Sequence, residues 1–203
     1  MTNIGELANI LVGNGMRSPE NIDRETQHNI DSSIGRLTIH YHRETSYFTL
    51  AITLENTPIG FYQFRKPMVC DVSNFPPENE VKRAFSSYAS DIYSKEYISR
   101  LGFELPEENM ALYILLSQRK HRLGSYLVML GLAVLNAERV KWNAASGLPL
   151  HMLLRVVDEK VLPFYEKLGF RIEPDARPLD PKFEKTWSVE YHSPPSQIKG
   201  VNI

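Results

Sequence analysis

Residues 112–125, LYILLSQRKHRLGS, gather the groups best suited to chemistry. An apolar run ends there, a short polar and basic loop follows, and the loop opens directly into a helical pattern. The first turn of a helix leaves backbone N–H groups without intrahelical partners, and the helix dipole adds positive potential at the same place. Arg119, Lys120, His121 and Arg122 add side-chain charge, and Leu123, Gly124 and Ser125 start the helix. Gly124 lets backbone approach a ligand closely. Such a loop suits phosphate or pyrophosphate. A solvated basic turn has the same spacing. The segment is neither a P-loop nor a dinucleotide fingerprint of the G-x-G-x-x-G type.

A second segment, DEKVLPFYEKLGF, covers 158–170. It opens just past an expected strand end, and Tyr165 follows Asp158 on a short helix. A tyrosine there either packs or donates its hydroxyl proton. His40 and His42 share one face of a strand by period two, but no third ligand is evident, so no metal site is expected. Glu107, Glu108 and His151 are candidates for a general base, and nothing singles one out.

The elements around these segments follow from apolar spacing. Ile4, Leu7, Ile10 and Leu11 predict a helix over 2–12, stopped by Gly13, Asn14 and Gly15. Ser18-Pro19-Glu20 predicts a second, exposed helix running to about Ser32. Residues 1–33 thus read as N-terminal helices. Three antiparallel strands are expected between 35 and 66, with a hairpin turn at Glu55-Asn56-Thr57-Pro58. Residues 67–109 read as a helical insertion, in which Val81, Phe85, Tyr88 and Ile92 form one apolar face. Phe85, Tyr88 and Tyr93 give it enough aromatic surface to line a pocket. The run 111–116 reads as a central strand.

Residues 123–137 give the clearest helix. Leu123, Tyr126, Leu127, Leu130, Ala133, Val134 and Ala137 form one stripe, and Val128, Met129, Leu132 and Leu135 make the other face apolar too. Such a helix is buried on more than one side or meets another subunit. A strand over 150–157, a short helix ended by Gly169, and strands over 170–172 and 186–191 complete the chain. Residues from 193 onward read as a loose tail. The fold class is α/β or α+β: a mixed, mainly antiparallel sheet with helices on its faces, in a single domain over 1–203.

Composition narrows the function. Hydrophobic residues make up 42% and charged residues 23% of the 203, as in globular chains. The net charge of −1 argues against a nucleic-acid binder built on the QRKHR loop, since phosphate backbones call for a broader basic surface. The single cysteine, Cys70, excludes an internal disulfide and fits a reducing compartment. The start of the chain lacks a basic region ahead of its apolar run, and no segment approaches the roughly 20 apolar residues of a membrane span. A cytoplasmic protein without a membrane partner is expected.

The two segments together resemble the GNAT superfamily of N-acetyltransferases. That family's cofactor motif is a strand, then R/Q-x-x-G-x-G/A, then a helix. Arg119 stands at its first position, Gly124 at its last, and Arg122 replaces its first glycine. FYEKLGF, 164–170, resembles the family's second motif, with Asp158 in place of a frequent Asn and Val161 of a frequent Ala. The resemblance covers about 110–191 and, more loosely, the hairpin at 46–66.

It implies a GNAT-like acyltransferase fold and acetyl-CoA as co-substrate. Backbone groups of Leu112, Tyr113 and Ile114 would pair with the pantetheine arm, and N–H groups from Lys120 to Ser125 would hold the pyrophosphate. An amine would attack the thioester directly, backbone near 114–116 would stabilise the oxyanion, and Tyr165 would protonate the departing thiolate. The acceptor would be a small amine, a protein amine or an aminoacyl-tRNA, and a homodimer is a family habit. Arg122 either contacts a CoA phosphate or crowds the loop. Asp158 either binds the cofactor or caps the short helix. A catalytically degenerate binding module of the same fold is the alternative.

Overall fold

The computed structural model describes residues 3–13, 24–44, 47–65, 88–89, 95–104, 112–114, 121–142, 150–175 and 185–193. In chain order these form α1 (Ile4–Val12), β1 (Arg24–Ser32), β2 (Gly35–Arg43), β3 (Tyr47–Leu54), β4 (Thr57–Arg65) and β5 (Tyr88–Ala89). Then follow α2 (Lys95–Arg100), β6 (Leu112–Ile114), α3 (Leu123–Trp142), β7 (Leu150–Val156), a 3-10 turn (Glu159–Val161), α4 (Leu162–Lys167), β8 (Arg171–Pro174) and β9 (Trp187–Ser193).

α1 starts where the Asn3 side chain accepts the Gly5 N–H at 2.8 Å, and it stops at Gly13, whose φ of 73° suits glycine. The helix expected from Ser18 to Ser32 is corrected: Arg24–Ser32 is a strand, antiparallel to β2 through a hairpin at Ser33-Ile34. Its polar residues Glu25, Gln27, Asn29 and Asp31 are exposed, and Thr26, His28, Ile30 and Ser32 between them are partly buried. That is the period-two signature of a sheet edge with one face covered. Polarity concealed the alternation from a reading that looked for apolar runs.

β2, β3 and β4 confirm three antiparallel strands between 35 and 66. Their turn is tighter than expected. Glu55 and Asn56 both take positive φ (49° and 68°), as a two-residue hairpin requires, and Thr57 and Pro58 already belong to β4. The nine strands form one sheet in the order β1-β2-β3-β4-β5-β7-β9-β8, with β6 also on β4. All described pairings are antiparallel except β5 with β7.

The insertion is also corrected in part. Tyr88, expected on a helix face, lies in a strand that pairs with β4 at Arg65 and with β7 at Met152 and Leu153. Among the described residues of this region, Lys95–Arg100 is helical. Val81, Phe85, Ile92 and Tyr93 lie outside the described residues, as do 105–111 and the tail from 194.

The main core lies between one sheet face and α1 with α3. Leu37, Ile39, Tyr41, Phe48, Leu50, Ile52, Tyr62 and Phe64 meet Leu7, Leu11, Leu127, Leu130 and Val134 there, all buried. Both faces of α3 are buried because α1 of the same chain packs in the same cluster, so its double apolar character needs no second subunit. Glu138 is a buried charge on α3. Its carboxylate accepts from the Tyr41 hydroxyl at 2.6 Å and lies 3.8 Å from the Arg43 guanidinium, which satisfies a buried charge. Among the described residues, no helix is long and apolar enough to cross a membrane.

Candidate functional site

The two sequence segments converge at one end of the sheet. β5 and β6 lie end to end along the same edge of β4: Ala89 pairs with Arg65, and Leu112, Tyr113 and Ile114 pair with Tyr62, Phe61 and Gly60. β7 runs parallel to β5, with Leu153 beside Ala89. From Arg65 back to Tyr62 the ladder advances as far as from Leu153 on to Val156. β7 therefore ends level with the start of β6, and β6 runs on past it. Each strand then leads toward a helix start, α3 after β6 and the 3-10 turn with α4 after β7. Open α/β sheets bind ligands beyond the carboxyl ends of such neighbouring strands.

The loop into α3 has an unusual backbone. Arg122 takes φ of 57°, in the left-handed region that glycine occupies without cost. Its carbonyl accepts the Tyr126 N–H at 3.0 Å and so begins the helix. His121 and Arg122 are exposed, Leu123 is buried, and Gly124 and Ser125 are half-buried. Arg119 and Lys120 lie outside the described residues. Gly124 lies beside α4 and the end of β6. A Cβ there would lie 3.5 Å from the Phe164 ring and 3.7 Å from Ile114. Those are ordinary van der Waals distances, and they show α3 packed against α4 and the end of β6 at this point.

β6 presents Leu112 and Ile114 to the main core, with Ile114 buried, and Tyr113 to the opposite face. Tyr113 stacks on Phe61 with centroids 5.5 Å apart and meets Phe103 edge-on. Asp158 is exposed, and its carboxylate accepts the Lys160 N–H at 3.0 Å, capping the 3-10 turn. Of the two roles open to it, this one is realised. Pro163 sits in the first turn of α4, where its missing N–H is harmless.

Tyr165 is buried against Phe164 and Phe170, both edge-on, with centroids 4.9 and 5.4 Å away. Burial pushes its phenol up to about 12, so it keeps its proton through the neutral range. Tyr126, at the start of α3, is raised to about 12 for the same reason. Gly169, at φ 87°, turns the chain back into β8, as the sequence indicated. Phe164 was missed by the sequence reading. Its only signal is its place beside Tyr165, and its role depends on Gly124 from a distant segment.

His40 and His42 lie on the sheet face opposite α1 and α3. His40 Nε2 is 3.1 Å from Thr53 Oγ1, and His42 Nδ1 is 3.1 Å from Glu44 Oε1. His42 also stacks on Tyr97 at 4.0 Å. Among the described residues, no group of three His, Cys, Asp or Glu side chains could hold a metal ion. The base candidates Glu107 and Glu108 lie outside the described residues, as does the side chain of His151.

The sequence matches no protein-family model, and none of the curated proteins matches it significantly.

Proposed function

We propose that this chain is an acetyl-CoA-dependent N-acetyltransferase with a GNAT-like fold. The observation that carries the reading is Arg122. It stands where the resemblance puts a glycine, and its backbone takes the left-handed conformation that glycine adopts without cost. Holding a non-glycine residue there costs about 1 kcal/mol, a cost that tends to persist at functional loops. The order of elements supports the same reading, with β6, basic loop and α3 beside β7, capped turn and α4 at the carboxyl ends of the two strands.

Acetyl-CoA supplies an activated acetyl group as a thioester. Backbone groups of Leu112, Tyr113 and Ile114 hold the pantetheine arm, and N–H groups of the loop into α3 hold the pyrophosphate. Arg122 lends charge, and His121 a ring nitrogen, from the exposed side of that loop. The acceptor amine forms the new C–N bond as the C–S bond breaks; the nitrogen gives up one proton, the sulfur takes one up beside the Tyr165 hydroxyl, and the products are the amide and the free CoA thiol. Its phenol is a weaker acid than a thiol, whose ordinary value is about 8.5. A hydrogen bond to the thiolate is therefore its contribution, and its proton moves to sulfur only as the proton released by the amine nitrogen replaces it. The acceptor is a primary amine of a small molecule, a protein or an aminoacyl-tRNA.

Calorimetric titration with acetyl-CoA, and with free CoA in parallel, tests the reading. Micromolar binding is expected; no binding at millimolar ligand overturns it. With an accepted amine in hand, Tyr165→Phe is expected to slow thiol release by about 100-fold while leaving cofactor affinity close to wild type. An unchanged rate reduces Tyr165 to packing. Because Asp158 already caps its turn and Tyr165 is deeply buried, a second reading stands beside the first. In it the chain is a catalytically silent CoA-binding module, which binds CoA but turns over no amine.

A further inference from the structure

The polar face of the β2–β4 meander carries two imidazoles that the acyl-transfer reading does not use. His40 and His42 are neighbours on one face of β2, only 7% and 5% exposed. α2 reaches that face on both sides of His40. Tyr97 stacks on the His42 ring, with centroids 4.0 Å apart. Ile98 and Phe103 pack with Phe61 and with Ala51, the cross-strand partner of His40. At its outer edge α2 is held by Glu25 of β1, which accepts from the Tyr97 hydroxyl and from the Arg100 guanidinium.

The two rings differ in what an added proton would meet. His42 Nδ1 lies 3.1 Å from Glu44 Oε1, so a charge on that ring has a carboxylate beside it. His40 Nε2 lies 3.1 Å from Thr53 Oγ1, whereas its Nδ1 is buried with no hydrogen-bond partner among the described residues. With the proton on Nε2, the neutral ring donates to Thr53 and leaves only a lone pair at Nδ1. A second proton there makes a buried cation whose new N–H has no acceptor. Among the described residues, the titratable groups around His40 are His42 on its own strand, Glu25 on β1, and Tyr97 and Arg100 on α2, where Glu96 is exposed. β3 and β4 present Thr49, Ala51, Thr53, Phe61 and Gln63, none of them charged. Glu25 is the carboxylate among these groups, and both of its oxygens are already engaged by α2.

We propose that α2 is a proton-released cover: when His40 takes up a proton at Nδ1, α2 detaches from the sheet and lets the imidazolium reach water. Burial holds the covered ring below its ordinary 6.5 and outweighs the opposing pull of Glu25. With α2 detached the ring is solvated and returns toward 6.5. The detached state therefore binds the proton more readily than the covered one. The hold of α2 is full above about pH 6.5 and weakens about tenfold per pH unit below it, until the covered value is reached. Phe103, just past α2, meets Tyr113 of β6 edge-on, so the release also uncovers one side of the strand at the candidate site. The cover is independent of the acyl-transfer reading.

Residue-resolved amide exchange from neutral pH downward tests this, read as protection factors so that the intrinsic pH dependence of exchange divides out. The amides of Leu101, Gly102 and Phe103, which bond to the carbonyls of Tyr97, Ser99 and Ile98, report on α2. They should be less protected than those of α3, and their protection should fall about tenfold per pH unit below about 6.5. The fall should vanish in His40→Gln and remain in His42→Gln. Linkage is reciprocal, so loosening α2 with Tyr97→Ala should move the His40 titration midpoint, followed by its ring resonances, up toward 6.5. Protection in α2 that does not change with pH overturns the proposal. So does a fall that survives His40→Gln or is lost in His42→Gln, equal protection of α2 and α3 at every pH, or a His40 midpoint that Tyr97→Ala leaves in place.

Discussion

The two faces of the β2–β4 meander are built from alternate residues of the same strands, yet they are held in different ways. Leu37, Ile39 and Tyr41, Phe48, Leu50 and Ile52, and Tyr62 and Phe64 face α1 and α3 and form a continuous apolar core. On the other face stand Thr38, His40 and His42, Thr49, Ala51 and Thr53, and Phe61 and Gln63. There the small apolar cluster is Ala51, Phe61, Ile98 and Phe103, with Tyr113 packed against it. Around it lie cross-strand polar contacts: the Gln63 amide donates to Thr49 Oγ1 at 2.8 Å, and His40 reaches Thr53. The grip of α2 is completed by Glu25, which accepts from the Tyr97 hydroxyl at 3.2 Å and from Arg100 at 2.9 Å.

The difference bears on stability. Apolar burial is non-directional and accumulates with area, at about 1.5–3 kcal/mol for each large side chain. Buried polar groups chiefly offset their own desolvation. The Arg100 side chain is largely exposed, so its ion pair with Glu25 contributes little. α2 is therefore the element whose detachment costs least, and α3 the one whose loss unfolds the domain.

Leu132→Ala, in the middle of α3, should break the comparison hardest. The loss of global stability should be about 3 kcal/mol, read from urea midpoints at unchanged slope. A loss below about 1 kcal/mol would mean that α3 is not the keystone of the fold.

Ile98→Ala, on the opposite face, should cost about 2 kcal/mol. Most of that should appear as faster amide exchange confined to α2 and its contacts. Exchange that rises equally in α3 would show the two faces to be one cooperative unit.

A smaller effect separates the faces by pH. Burial holds the His40 imidazole below its usual 6.5, with the charge of Glu25 pulling the other way. The unfolded chain then binds the proton more readily than the folded one. The His40 contribution to stability is full above about pH 6.5 and is lost as pH falls toward the depressed folded value. Urea midpoints measured downward from neutral pH should decline more steeply in wild type than in His40→Gln. Parallel curves would remove the polar face from the pH response.

Arg122→Gly, at the loop into α3, should have the smallest effect. Relieving the left-handed backbone should gain up to about 1 kcal/mol in the native state, partly cancelled by the greater freedom of glycine in the unfolded chain. If CoA affinity is unchanged in this variant, the Arg122 side chain contributes shape alone; a drop assigns it a phosphate contact.

Much of the helical skeleton was legible because its signals are local. Gly13 stops α1, Pro163 and Gly169 bound α4, and the apolar stripes of α3 mark it as doubly buried. The site was legible as two segments, LYILLSQRKHRLGS and FYEKLGF, each a strand end followed by a helix start. β1 was misread because an edge strand with one covered face can be almost wholly polar. Tyr88 was misread because a two-residue strand has no periodicity and is defined only by its neighbours on β4 and β7.

By itself, then, the sequence determined the elements whose caps, glycines and apolar periods lie within a few residues of one another, and the left-handed demand at Gly169. Tertiary structure decided what depends on residues far apart in the chain. It decided that α1 covers the second face of α3, that Gly124 lies against Phe164, that Asp158 is engaged as a cap, and that the strand at Tyr88 joins β4 to β7. Local order follows from short-range sterics and hydrogen bonding. Those pairings follow from which surfaces remain to be buried once the strands have aligned.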